Sequence, residues 1–124
     1  MKNKAIVAAA VVVAVFLLGF LPQFMKASRL EGELLASRQQ LEGAELRDLV
    51  GLAYLQASQK NFGLAAETTS RFFNRAREVA AGRKPIEDLT ALRDKITAAL
   101  AKGDPAVIGD LQDLFLKTRQ ATAP

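Results

Sequence analysis

The chain has 124 residues, a formal net charge of +4, and neither cysteine nor histidine. This length suits one small domain, and the missing side chains exclude disulfides, thiolate nucleophiles, imidazole catalysis and the usual Cys/His zinc sites. A composition rich in Ala, Leu, Glu, Lys, Arg and Gln, with only 6% aromatic residues, predicts an all-α protein.

An apolar segment behind the short basic head MKNK is the first element of the chain. Seventeen apolar or glycine residues run from Ala5 to Leu21, and a helix continued to Met25 would cover roughly 30 Å, the thickness of a bilayer core. A cleaved signal peptide usually has a shorter apolar core that ends before a small-x-small site, whereas Met25 and Ala27 make a poor cleavage pair. We therefore predict a transmembrane signal anchor at residues 1–25.

The predicted span that contacts the lipid bilayer, residues 5–25, has basic groups on both sides. They are Lys2 and Lys4 before it, and Lys26, Arg29 and Arg38 after it. A four-residue basic head is typical of a signal anchor whose N-terminus stays in the cytoplasm. We expect a single-pass protein of the cytoplasmic (inner) membrane with an extracytoplasmic C-terminal domain.

Residues 26–43 are predicted to form a membrane-proximal helix or stalk. With Ser37 in one slot, the apolar positions follow a spacing of three and four residues: Ala27, Leu30, Leu34, Leu41 and Ala44. The spacing favours packing onto the protein's own domain or a stalk, and it also allows pairing with a second copy as a homodimer. Gly43 is a candidate position for a bend.

Residues 44–124 are predicted to form a helical domain of two antiparallel hairpins, residues 44–81 and 85–119. Each helix places apolar residues at i, i+3, i+4 and i+7. In the first hairpin these are Leu46, Leu49, Val50, Ala53, Tyr54 and Ala57, then Phe62, Ala65, Ala66, Thr69, Phe72, Phe73, Ala76 and Val79. Asn61 is the expected N-cap of the second helix, and Gly82 is its expected end.

The second hairpin is predicted to begin with one helix from Pro85 to Lys102. Asp104 is expected to cap the next helix, which has Pro105 in its first turn and continues to about Thr118. The predicted core positions are Ile86, Leu89, Leu92, Ile96, Ala99 and Leu100, then Val107, Ile108, Leu111, Leu114 and Phe115.

The first hairpin contains small Gly51 three residues before aromatic Tyr54, in Val50-Gly51-x-x-Tyr54. Its second helix contains Phe62-x-x-Ala65, followed by Phe72. Residues 44–81 thereby resemble the tetratricopeptide repeat, in which a small residue at a close helix crossing precedes an aromatic residue. A shift of 42 residues aligns Val50 with Leu92 and Phe72 with Leu114, which suggests a second related hairpin at residues 85–119. The resemblance implies a short repeat stack, and a compact bundle of four or five helices is the alternative.

The charged residues do not match the pattern of a known catalytic site. The carboxylate pairs Glu87/Asp88 and Asp110/Asp113 are explained by helix capping and solvation, and the sequence contains no phosphate loop, nucleophile elbow or dinucleotide fingerprint. We expect no enzyme, cofactor or metal. We also expect no nucleic-acid binding, because no exposed aromatic is interleaved in the basic run of Arg71, Arg75, Arg77, Arg83 and Lys84.

Several leucines fall outside the predicted core stripes. They are Leu52, Leu55, Leu64 and Leu116, with Leu35 on the stalk. Either a multi-helix bundle covers them, or they form a docking surface for an unknown protein partner, with Arg71 and Arg75 as a polar rim. The second case predicts a membrane-anchored interaction or scaffold module.

Two other functions fit the sequence. A single-pass accessory subunit of a larger membrane complex would use its transmembrane helix, where small residues permit close helix approach: Ala8, Ala9, Ala10, Ala14 and Gly19. A binder of acidic lipid or polymer would use the basic run from Arg71 to Lys84.

Overall fold

A computed structural model describes the backbone of residues 2–123 and the side chains of residues 2–19 and 26–123. Most of this range is helical. Over that range five α-helices and one 3₁₀ turn are present, with no strand. They are α1 (Lys2–Ser58), α2 (Phe62–Ala80), α3 (Lys84–Leu89), the 3₁₀ turn (Thr90–Leu92), α4 (Arg93–Ala101) and α5 (Val107–Ala121). The predicted all-α class is confirmed.

Residues 1–38 form the first of two compact units. Its segment Lys2–Gly19 is long and apolar enough to cross a membrane, and none of it is buried. The predicted span extends further, to residue 25, but the side chains of residues 20–25 lie outside the described set. By length and composition, the N-terminal part of the chain therefore contains one candidate membrane span.

The second compact unit, residues 39–124, begins before the predicted domain start at residue 44. Helix α1 continues through Gly43, so this glycine does not end the helix. Gly43 is buried, and a Cβ atom placed on it would lie 2.9 Å from the Cβ of Thr122. The glycine therefore permits a close approach of the end of α5 to α1.

Antiparallel packing joins α2 to the C-terminal part of α1. Gln56 accepts a hydrogen bond from Thr68 at 2.6 Å, and two ion pairs follow further from the turn. They are Glu45 with Arg75 at 2.9 Å and Glu42 with Arg83 at 3.0 Å. As the residue number falls along α1, it rises along α2 and into Arg83, just after that helix, which fixes the antiparallel direction.

Helix α5 also packs against α1 and closes the unit into a bundle. Arg47 donates to the hydroxyl of Thr122 at 3.0 Å, and Gly51 faces the ring of Phe115. Both α2 and α5 pack against α3 and α4. The contact between the first and last helices of residues 39–124 is that of a closed four-helix bundle, with α3, the 3₁₀ turn and α4 acting as one interrupted helix.

The core follows the predicted stripes closely. Phe72 and Phe73 are both buried, as predicted, and their rings pack edge to face with centroids 5.1 Å apart. Predicted core positions that are only partly buried are Leu49, Tyr54, Phe62, Ala66, Leu92, Ala99, Ile108 and Phe115. Thr68 and Thr118 are buried although the periodicity did not assign them to the core. Thr118 satisfies its hydroxyl by donating to the carbonyl of Leu114 at 2.7 Å.

The predicted single helix from Pro85 to Lys102 is wrong in one respect. The 3₁₀ turn at Thr90–Leu92 separates α3 from α4. The hydroxyl of Thr90 donates to the carbonyl of Glu87 at 2.6 Å, and such local side-chain bonds compete with regular helical hydrogen bonding.

The end of α1 carries a left-handed residue, Lys60, with φ +62°. The N–H of Lys60 donates to the carbonyl of Ala57 at 2.9 Å, and the N–H of Asn61 donates to that of Gln56 at 2.9 Å. These two bonds form a Schellman motif, which favours glycine at the left-handed position. Asn61 does occupy the N-cap position of α2, but its side chain makes no capping hydrogen bond, contrary to the prediction.

Replacing Lys60 with glycine is expected to raise the free energy of unfolding by about 0.5 to 1 kcal/mol, because glycine avoids the steric cost of positive φ. Gly103 offers a matched control, because it has φ +63° in the same motif at the end of α4. Gly103→Lys should lower the stability by a similar amount. Urea unfolding of residues 39–124, followed by circular dichroism, measures both changes. A Lys60→Gly variant that is less stable than the parent would contradict the expectation.

Candidate functional site

An apolar groove of about 390 Å³ lies between α1 and α5 within residues 39–124. Its lining residues are Gly51, Tyr54, Leu55, Gln112, Phe115 and Leu116. Leu55 is 57% exposed and Leu116 is 50% exposed, whereas Tyr54 and Phe115 are half-buried and form the inner wall. The groove therefore presents two exposed leucines over a partly buried aromatic wall.

Gly51 lines this groove opposite the ring of Phe115. A Cβ atom at Gly51 would stand 3.7 Å from the ring of Phe115, in ordinary van der Waals contact. A larger side chain would fill the space between the two helices. The sequence interpretation placed Gly51 at a close crossing within the first hairpin, but the aromatic ring beside it comes from α5.

Leu52, Leu55 and Leu64, three of the leucines that the sequence places outside the core, are all exposed, but only Leu55 of them lines the groove. Leu55 lines the groove with Leu116. Leu52 precedes Gln56 by one turn, and Leu64 precedes Thr68 by one turn. Because Gln56 and Thr68 are hydrogen bonded across an antiparallel pair, these two leucines lie on opposite sides of that bond.

Arg75, the first of two predicted rim residues, is engaged within the bundle. Its Nε lies 2.9 Å from Glu45 and its Nη1 lies 3.1 Å from Glu78. The hydrogen bonds to Glu45 and then to Glu78 raise the pKa of Arg75 above its usual value. The side chain stays charged at any physiological pH, and its main contact joins α2 to α1. Arg71 is exposed and makes no ion pair with any described residue.

The basic run from Arg71 to Lys84 is partly neutralised. Arg83 pairs with Glu42 at 3.0 Å and donates to the carbonyl of Val79 at 2.7 Å, near the end of α2. Lys84 lies 3.9 Å from Asp88. Arg77 is exposed. Three of the five basic residues, Arg75, Arg83 and Lys84, therefore have acidic partners inside the protein.

Three members of the two carboxylate pairs, Asp88, Asp110 and Asp113, serve as ion-pair partners on the bundle surface. Asp110 lies 3.3 Å from Lys95, and Asp113 lies 3.0 Å from Lys117. Within residues 2–123 no three acidic side chains come together in a way that could hold a metal ion. These contacts agree with the interpretation of the carboxylates as surface groups.

A second concavity of about 480 Å³ lies between α3 and α5. Its rim carries the charged or polar side chains of Asp88, Lys117 and Gln120, and of its two leucines Leu89 is buried and Leu92 is half-buried. It exposes less apolar surface than the groove between α1 and α5, although it is larger. We therefore regard the α1–α5 groove as the stronger candidate.

Comparison with known proteins gives no relative of this chain. No family model matches it, and neither a curated protein nor a solved structure matches it. The resemblance of residues 44–81 to the tetratricopeptide repeat accordingly stays a prediction.

Proposed function

We propose that the protein is a membrane-anchored interaction module whose helical bundle binds a protein partner through the groove between α1 and α5. The observation that supports this most is the pair of half-exposed leucines, Leu55 and Leu116, on either side of one apolar groove. Exposed apolar side chains around a concave surface are typical of interaction sites.

The partner chemistry that suits this groove is an amphipathic helix. Two antiparallel helices with an apolar channel between them accept the apolar face of a third helix, in the manner of helix-in-groove recognition. Gln112 is the polar lining residue and is able to hydrogen bond to the rim of such a helix. Burial of both leucines would supply most of the affinity.

The proposed location is the outer face of the cytoplasmic membrane. Lys2–Gly19 supplies the candidate span, and the basic head MKNK supports an N-terminus in the cytoplasm. The bundle would then be held close to the membrane and restricted to partners present there, as expected for a scaffold.

Replacing Leu55 or Leu116 with serine should lower partner binding about four- to tenfold, because full burial of a leucine is worth about 1.5 to 3 kcal/mol and about half of each side chain is left to be buried in the complex. Leu52→Ser and Leu64→Ser are matched controls, since these residues are 48% and 46% exposed and lie outside the groove. A photocrosslinking amino acid at Gln112 would capture the partner in native membranes. Circular dichroism checks that each variant stays helical.

Two outcomes would contradict the groove assignment. Equal loss of captured partner for all four leucine variants would place the contact on a broader surface that includes Leu52 and Leu64. Unfolding of Leu55→Ser and Leu116→Ser would show that these leucines stabilise the bundle instead. Comparison with Leu52→Ser and Leu64→Ser distinguishes loss of a groove contact from both of these outcomes.

A single-pass accessory subunit is the second candidate function. Every described side chain of the candidate span is exposed, and a Cβ atom at Gly19 would meet no atom within 4 Å, so this face is open to another membrane helix. Exchanging residues 1–25 for an unrelated transmembrane helix tests it. If the variant still binds its partners, the result favours binding through the groove. If it no longer binds them, the result favours binding through the native transmembrane helix.

Binding of acidic lipid or polymer through residues 71–84 has less support. Arg71 and Arg77 are the basic residues of the run without an ion pair among the described residues, and two separated charges attract a polyanion weakly. Salt-sensitive binding of the bundle to vesicles of acidic lipid would favour this alternative.

A further inference from the structure

The membrane-proximal part of α1 has an apolar face that no described residue covers. Leu30 is 59% exposed and Leu34 is 69% exposed, and Ala27 and Ser37 are also exposed. These four residues occupy successive a and d positions of a heptad pattern, with Ala27 and Leu34 at a. Leu41 continues the a positions in the sequence and is exposed as well.

We propose that this face binds the same face of a second copy of the chain, in a parallel and in-register pair of helices. The a and d positions form the seam between the two helices. The charged residues at the e and g positions beside this seam indicate a second copy as the partner. Lys26 and Glu33 are at g, and Glu31 and Arg38 are at e. In a parallel pair each g residue faces the e residue of the next heptad on the partner helix. The facing pairs are Lys26 with the second copy's Glu31, and Glu33 with the second copy's Arg38.

Both facing pairs have opposite charges, and two-fold symmetry produces each of them twice. A slip of one heptad would bring Lys26 to Arg38 and Glu31 to Glu33, so that like charges would face each other. The charge pattern therefore favours the in-register pair and disfavours the slipped one. Glu33 also pairs with Arg29 of its own helix at 3.5 Å, but both side chains are largely exposed and such pairs contribute little.

The membrane anchor explains how such a short seam can associate. Alanine and serine occupy two of the four seam positions in residues 27–37, and helical pairs of this length are marginal in water. Two anchors in one bilayer keep the seams parallel and raise their effective concentration, which strengthens a weak contact without any new interaction. The dimer should therefore depend on residues 1–25, whereas binding at the α1–α5 groove should not.

Single cysteines provide a direct test, because the natural sequence contains none. The full-length chain is placed in phosphatidylethanolamine and phosphatidylglycerol vesicles at a high lipid-to-protein ratio and oxidised. Leu34→Cys and Ser37→Cys lie on the seam, whereas Gly32→Cys and Gln39→Cys lie at f positions on the opposite side. A disulfide requires Cβ atoms about 3.5 to 4.5 Å apart, so only the seam variants should form disulfide-linked dimers.

Charge reversal tests the proposed register. In the Ser37→Cys background, Arg38→Glu turns two symmetric attractive pairs into repulsive ones and should reduce the linked dimer about tenfold at low salt. Adding Glu33→Arg should restore the dimer. Equal linking at all four cysteine positions, linking at none of them, or no rescue by the double reversal would overturn the proposal. Groove variants such as Leu55→Ser should leave the linking pattern unchanged, which separates this result from the proposed function.

Discussion

Replacing Phe72 with alanine should lower the free energy of unfolding of residues 39–124 by about 3 to 5 kcal/mol, the usual range for a buried phenylalanine. Phe72 is completely buried. It shares a central space too small for water with Val50, Ala53, Thr69, Leu111 and Leu114. The substitution therefore opens a cavity where α1, α2 and α5 meet.

A domain of this size has a total stability of only about 5 to 15 kcal/mol, so the loss would leave a large unfolded fraction on warming. Thermal and urea unfolding followed by circular dichroism measures it. Phe62→Ala is the control. Phe62 is the first residue of α2, and its ring is only partly buried and packs near Gly103. Its effect should be clearly smaller. Similar melting of the Phe72→Ala variant and the parent would mean that the packing of the core is wrongly assigned.

Two arginines within the apolar segment, at Val13 and Leu17, should prevent stable membrane insertion. Each charged residue near the centre of a transmembrane helix costs about 2.5 to 3.5 kcal/mol on insertion scales. The parent chain should remain in the membrane pellet after carbonate extraction, and the double variant should appear in the soluble fraction or be degraded.

Leu35→Arg is the control for this experiment, because Leu35 is exposed and lies outside the predicted span. It adds a positive charge to the same helix and should stay in the pellet. Release of a shorter soluble form of the parent chain would show that the segment is a cleaved signal peptide. Retention of the double arginine variant in the pellet would show that the segment does not hold the chain in the membrane.

Local periodicity predicts the helical class and most of the core. Phe72 and Phe73 were assigned inward because they continue the stripe from Phe62, and the structure buries both. Two differences from the prediction, at Asn61 and within residues 85–102, have local causes. The Asn61 backbone, not its side chain, forms the α1 end motif, and the Thr90 hydroxyl competes with regular helical bonding. Neither effect alters the spacing of apolar residues, so a periodicity argument cannot detect it.

The groove could be predicted only in part. Leu55 and Leu116 were recognised as apolar residues outside the core stripes, since helical spacing assigns a face to each residue. Their position on one groove depends on α5 packing against α1, which is a contact between distant parts of the chain. Gly43 and Gly51 permit that contact, but a glycine within a helix is equally compatible with a bend, a crossing or an exposed site.

The closure of the bundle by α5 has a consequence for folding during synthesis. Arg47 and Thr122 are separated by most of the bundle's sequence, so their contact forms only after Thr122 has left the ribosome. Until then, the side of α1 around Gly51 and Tyr54 lacks its partner Phe115. The nascent chain should therefore present this apolar strip to chaperones until α5 emerges, and a ribosome stalled before residue 107 should hold it in a chaperone-binding state.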